Sequence, residues 1–222
     1  MKAFTAGGDA LLERPINRVE LLAQVASLVP AKQLHDEMIW MENAIMALAT
    51  AIEASDPYAE GHIKRVVVYS SRLGKAIGLS TPELDILRNG GALHDVGKIG
   101  IRESVLVKRG TLSGEEKEHI RIHPVVGERI CRPRGSNVIS EIVRHHHERY
   151  DGRGYPERLN GEDIPLAARI MAIADTYDAL TSDRIYRKRI SAEEALEVIR
   201  AGVGNRFDPE LVSAFIGTVG NT

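Results

Sequence analysis

His62, His94, Asp95, His123, His146, His147 and Asp175 carry the donor atoms that bind divalent metal ions. Imidazole nitrogens and carboxylate oxygens suit borderline transition ions, and these residues are too many for one ion with ordinary coordination. They suit two ions that share a bridging carboxylate. Asp95 is the candidate bridge. It follows His94 near the end of a predicted helix, where adjacent side chains diverge by about 100°. One carboxylate oxygen can then meet the ion held by His94 while the other meets a second ion. Lys98 adds a fixed positive charge three residues on, with a second reading as a cap at the helix C-terminus.

Other residues of the same types read differently. His119 shares a helix face with His123, and it reads as a solvated helix residue. His145 reads as a supporting or solvated residue, and His35 as a surface residue near a linker. Glu148 and Asp151 are candidate partners that orient the histidine ligands.

These positions span more than a hundred residues, so a fold must bring them together. Helical periodicity dominates the chain, and no alternating run is long enough to predict a sheet. The expected class is all-α: a helical bundle with an N-terminal helical extension. Asn17 with Glu20 opens an amphipathic helix carrying Leu21, Leu22, Val25 and Leu28, which Pro30 is expected to end. A second helix is expected from Gln33 to Ala54, with Met38, Met41, Ile45, Leu48 and Ile52 on a heptad seam. That seam packs on the main domain or forms a homodimer through residues 33–54; a monomeric mass by light scattering would exclude the dimer. Ser80 with Glu83, Ser113 with Glu116 and Ser191 with Glu194 mark further helix starts. Pro124 interrupts or restarts a helix, and another from Val138 carries the triple histidine. A glycine-rich loop follows over Asp151 to Pro165, then a helix from Leu166 to Leu180, and a last one from Asp208-Pro209.

Composition narrows the function. The 222 residues carry 43% hydrophobic and 27% charged residues, an ordinary globular mix. A net charge of −2 argues against a partner that is a nucleic-acid polymer, and 5% aromatic content against base-stacking platforms. Cys131 stands alone, so no intrachain disulfide is expected, and a cytoplasmic location fits. No apolar run is long enough to span a bilayer and no signal-peptide core is present, so no membrane partner is expected.

His94-Asp95 with Gly97-Lys98 resembles the HD superfamily of metal-dependent phosphohydrolases. His146-His147-Glu148 followed by Asp151-Gly152-Arg153-Gly154-Tyr155-Pro156 resembles its HD-GYP branch. Asp56-Pro57-Tyr58 before His62, His123-Pro124 with Gly127, Asp175 to Ser182, Arg184 with Tyr186-Arg187, and Phe207-Asp208-Pro209 agree in order. The first thirty residues resemble the last strand and helix of a response-regulator receiver domain. The expected domains are therefore 1–30, a receiver remnant whose phosphate-accepting aspartate lies upstream; 31–54, a helical linker; and 55–222, the HD-GYP domain.

The resemblance implies hydrolysis of cyclic di-GMP at two divalent ions, iron or manganese, by the output domain of a response regulator. It places His62, His94, Asp95 and Asp175 around one ion and Asp95, His123, His146 and His147 around the other. It assigns Lys98 to catalysis and phosphate binding, and Tyr155, Arg184 and Arg187 to contacts with the dinucleotide. Some family members hold a third ion through glutamates at the positions of Tyr58 and Asp178. Tyrosine is a poor ligand there, so two ions and a linear dinucleotide product are expected rather than three ions and GMP. Two other functions compete: a catalytically silent cyclic di-GMP sensor, and an HD hydrolase of other nucleotides or phosphate esters.

Overall fold

A computed structural model describes residues 18–53, 61–108, 110–132, 137–183 and 188–219. The described helices are α1 (Arg18–Glu53), α2 (His62–Ala76), α3 (Thr81–Leu93), α4 (Glu103–Leu106), α5 (Gly114–Ile120), α6 (His123–Cys131), α7 (Asn137–His145), α8 (Leu166–Thr181), α9 (Ala192–Ala201) and α10 (Pro209–Val219). Short 3-10 turns lie at Val96–Gly100 and Gly161–Asp163. Among the described residues there are isolated bridges but no strands, so the class is all-α. No helix among them is long and apolar enough to cross a membrane.

The chain divides into two compact units, residues 1–44 and 45–222. In the first, α1 does not stop at Pro30 as the sequence predicts but runs through it. A proline removes one helical hydrogen bond, and good helix formers on both sides can carry a helix past that loss. Leu22, Val25 and Leu28 are exposed. Residues 1–17, the first part of the expected receiver remnant 1–30, and the side chains of Met38, Met41, Ile45, Leu48 and Ile52 lie outside the described residues.

The second unit is organised around α8. Its segment is apolar nearly all round, the pattern of a helix buried on every side. Ala168, Ile170, Met171, Ile173, Ala174, Tyr177 and Leu180 are buried, and α2, α7, α9 and α10 pack on it. They contribute Val66 and Leu73, Ile142, Ile199, and Leu211 and Phe215 to the same core. Tyr69, Tyr177 and Phe215 meet edge to face, with centroids 5.0 and 5.2 Å apart on either side of Tyr177. The three serine–glutamate capping boxes form as expected at the starts of α3, α5 and α9.

Asp208 ties α10 to α8. One oxygen accepts from the Glu210 and Leu211 amides and the other pairs with Arg169, which also donates to the Ile164 carbonyl. Both side chains are largely buried, so Asp208→Ala strands a guanidinium and uncaps a helix. The expected loss is about 3 kcal/mol or more, a fall of about 6–12 °C in Tm for a domain of this size. Thermal unfolding by circular dichroism measures it.

Candidate metal centre

The proposed ligands sit at helix ends. His62 and His123 are the first residues of α2 and α6; His94-Asp95 follows α3, and His146-His147 follows α7. Neighbouring helices α2 and α3, and α6 and α7, pack in pairs. The N-terminal end of one helix thus lies beside the C-terminal end of its partner, and four ends meet. Asp175 enters from the middle of α8. Past its end, a helix lets consecutive side chains point to one place, which is how His94 with Asp95 and His146 with His147 converge.

Two donor sets result: His62, His94 and Asp95, and Asp95 with His123, His146 and His147. Asp95 belongs to both. Its Oδ2 lies 3.4 Å from His94 Nε2 and 4.0 Å from His62 Nε2, while Oδ1 lies 3.3 Å from His123 Nε2. Asp175 Oδ1 is 3.7 Å from His62 Nε2. Lys98 Nζ is 2.6 Å from Asp95 Oδ2, so the lysine is at the centre and not merely a helix cap.

The imidazoles are oriented from behind. Nδ1 of His94, His123 and His146 donates to the carbonyl three residues earlier, at Gly91, Ile120 and Val143. Nδ1 of His62 donates to Asp178 Oδ2 at 2.7 Å. With Nδ1 carrying the proton, each Nε2 presents a lone pair inward. His62 and His94 then face each other Nε2 to Nε2 at 3.3 Å, as do His123 and His146. Two lone pairs at that distance repel unless a cation or proton lies between them. The spacing also suits two nitrogens each about 2.0–2.1 Å from one ion. The residues therefore fit a pair of divalent ions.

At His123, His146 and His147, charge supports the same fit. Burial, reinforced by the neighbouring imidazoles, holds His146 and His147 well below the usual histidine range. Burial also lowers His123. Neutral imidazole is the metal-binding form. Burial would lower His94 too, but the Asp95 and Asp175 carboxylates outweigh it and carry His94 up to about 9. Burial would raise Asp95, yet Lys98 and His94 hold it well below the carboxylate range, so it is an anion.

Glu148 and Asp151 differ from expectation, and Asp178 takes a supporting role that the sequence did not assign. Asp178 is fully buried and does not face the ion sets. It accepts from His62 and is held by Arg65, with Ser182 Oγ at 3.3 Å. Burial would raise its pKa, and these hydrogen bonds lower it instead. The signal for this role was its position one turn beyond Asp175 on the same helix. Asp178→Asn is expected to lower affinity at the His62 ion by about 10–100-fold, measured by metal titration, with the other ion retained.

Glu148 does not orient a histidine ligand as proposed from sequence. It is buried three residues beyond α7, and its Oε1 accepts the Glu157 and Arg158 amides at 2.7 and 3.1 Å. It therefore anchors the glycine-rich loop. Asp151 likewise pairs with Arg149 and accepts the Arg153 amide rather than reaching a ligand. His145 is buried with Nε2 3.7 Å from Glu157, and His119 accepts the Arg102 amide, so both point to partners other than the ion sets. The side chain of His35, and Tyr58, Arg184 and Arg187, lie outside the described residues.

Gly154 lets the loop close on the backbone of Glu148 and Arg149, just past α7. A Cβ there would lie 2.4 Å from the Arg149 nitrogen and 2.5 Å from Glu148 Cα. The Tyr155 amide then reaches the His147 carbonyl at 3.3 Å, and its ring lies 4.9 Å from the His147 ring. Arg121, which the sequence reading missed, places its guanidinium over the Tyr155 ring, 5.4 Å from its centroid. A cavity of about 480 Å³ opens here, lined by His146, His147, Asp175, Tyr155, Arg121 and Arg206 among others.

Fold and site together define a class: an all-helical bundle whose helix ends converge on a His-Asp metal cluster. The chain belongs to the HD domain family, whose model matches residues 46–211. It is 40% identical over 172 residues to 3'3'-cGAMP-specific phosphodiesterase 2 of Vibrio cholerae, covering 76% of this chain and 33% of that one. It is 35% identical over 236 residues to the cyclic di-GMP phosphodiesterase response regulator RpfG of Xanthomonas campestris, covering 96% and 62%. A crystal structure of a cyclic GMP-AMP specific phosphodiesterase of V. cholerae superposes with a TM-score of 0.63 at 27% identity, covering 80% of this chain and 48% of that one. The chain spans between 33% and 62% of the length of these relatives.

Proposed function

We propose that this chain hydrolyses cyclic di-GMP to the linear dinucleotide at a two-ion centre, as the output domain of a response regulator. The observation that carries the reading is Asp95, whose two oxygens face two separate histidine sets. Iron and manganese are the ions that the mixed nitrogen and oxygen donors suit. When bound, such ions activate water and neutralise charge on a phosphate diester.

The chain's own residues supply the rest. His62, His94 and Asp175 would hold one ion and His123, His146 and His147 the other, with Asp95 common to both. Lys98 keeps an ammonium beside the bridging carboxylate, where the charge of a phosphate concentrates in the transition state. Burial pushes the Tyr155 phenol up, so it keeps its proton and can donate a hydrogen bond to the dinucleotide. Arg184 and Arg187 add guanidiniums suited to phosphate or guanine. Asp178, tied to His62 and Arg65, offers no carboxylate to a third ion, which supports the linear product. The output-domain reading rests on the similarity to RpfG over nearly the whole chain.

A second substrate, 3'3'-cGAMP, is favoured by the cGAMP-specific relative at 40% identity. The test is to load the protein with manganese or ferrous ion and supply cyclic di-GMP, 3'3'-cGAMP and simple phosphate diesters separately, with a chelated control. Linear diguanylate formed only with metal is the expected result. Faster turnover of 3'3'-cGAMP moves the assignment to that substrate, and binding without turnover makes the chain a sensor.

A further inference from the structure

A second cavity, of about 740 Å³, adjoins the one at the metal centre. The two share Arg121, Arg153, Gly154 and Tyr155 as walls. The outer cavity is also lined by Arg129 and Arg158, and Glu118, which pairs with Arg121, is its only acidic lining residue among the described residues. Arg129, Arg153 and Arg158 carry no side-chain ion pair among the described residues, whereas Arg121, Arg144 and Arg149 nearby all do. An anion entering this concavity meets three guanidiniums that no carboxylate pairs at close range among the described residues.

A cyclic dinucleotide carries two phosphates and two bases. One phosphate at Asp95 leaves a second anion and a second guanine to be placed. Guanidinium binds phosphate oxygens in bidentate fashion and pairs equally well with guanine O6 and N7. Tyr155 is a wall of both cavities and so marks the passage from one to the other.

Resting on the proposed function, we infer that the outer cavity is the subsite for the second nucleotide, held by Arg129 and Arg153. Neither residue stood out in the sequence as a substrate contact. The test is the double variant Arg129→Ala/Arg153→Ala of the manganese-loaded protein in steady-state hydrolysis. Its KM for cyclic di-GMP should rise at least about tenfold. Its loss in kcat/KM on bis(p-nitrophenyl) phosphate, which has no second nucleotide, should be at least about fivefold smaller. Arg129→Ala alone, which alters only the outer cavity, should raise KM at least about threefold, so a folding defect in the double variant leaves the inference testable. Equal losses on both substrates, or an unchanged KM for cyclic di-GMP, overturn the subsite. A wild-type protein that cleaves the simple diester and not cyclic di-GMP overturns the proposed function instead. If it cleaves neither, calorimetric binding of cyclic di-GMP to the same proteins reads the subsite by the same ratios, and absence of binding to wild type overturns it.

Discussion

Asp95→Asn is expected to reduce bound metal from about two ions per chain to at most one, and turnover by about a thousandfold or more. Asparagine has the same shape but only one oxygen. Its amide nitrogen carries two hydrogens and no available lone pair. Whichever way the side chain turns, one donor set keeps an oxygen and the other meets an N–H. If the oxygen faces His94, the nitrogen faces His123 Nε2, now 3.3 Å from a carboxylate oxygen. The anionic charge that balances two cations is lost in either case. Metal analysis after dialysis, with turnover of cyclic di-GMP, reads the outcome. His146→Gln is the informative comparison, since His146 belongs to one set only. It should leave one ion in place. Two ions and full turnover in Asp95→Asn would refute the bridge.

Gly97→Ala is expected to destabilise the second unit by about 3 kcal/mol, the upper part of the range for overpacking. That is a fall of about 6–12 °C in Tm. A Cβ at Gly97 would lie 1.9 Å from the His123 carbonyl oxygen and 2.5 Å from the Gly127 nitrogen. Both are backbone atoms, so no rotamer change can relieve the clash. The 3-10 turn at Val96–Gly100 must move away from α6, and His123 begins α6. The substitution should therefore also weaken the ion held by His123, His146 and His147. Gly114→Ala is the control: nothing lies within 4 Å of a Cβ there, and Gly114 is the first residue of α5. It should be neutral or slightly stabilising. An unchanged Tm and metal content in Gly97→Ala would show that the turn and α6 do not need this close approach.

Much of this protein is legible in its sequence because the signals are local. A capping box spans three residues, so the starts of α3, α5 and α9 follow from Ser80, Ser113 and Ser191 alone. The helix expected over Leu166 to Leu180 follows in the same way from its own periodicity, and forms as α8. Histidine and aspartate types at seven positions announce metal chemistry, and the adjacent pair His94-Asp95 is the part that needs no distant neighbour to suggest a bridge. Pro30 shows where local reasoning fails, since a proline's cost is finite and the helix continues across it.

The tertiary structure decided which groups support which. Glu148 and Asp178 are both acids close in sequence to proposed ligands. Packing turns one toward the loop amides of Glu157 and Arg158 and the other toward His62, 116 residues away. It also decided why Gly97 must be glycine, through a contact with a helix that begins far along the chain. Arg129 and Arg153 come to line one cavity in the same way. Residue type and near spacing determine what chemistry and which helices are available. Contacts between distant segments depend on how the helices pack, and no local pattern encodes that packing.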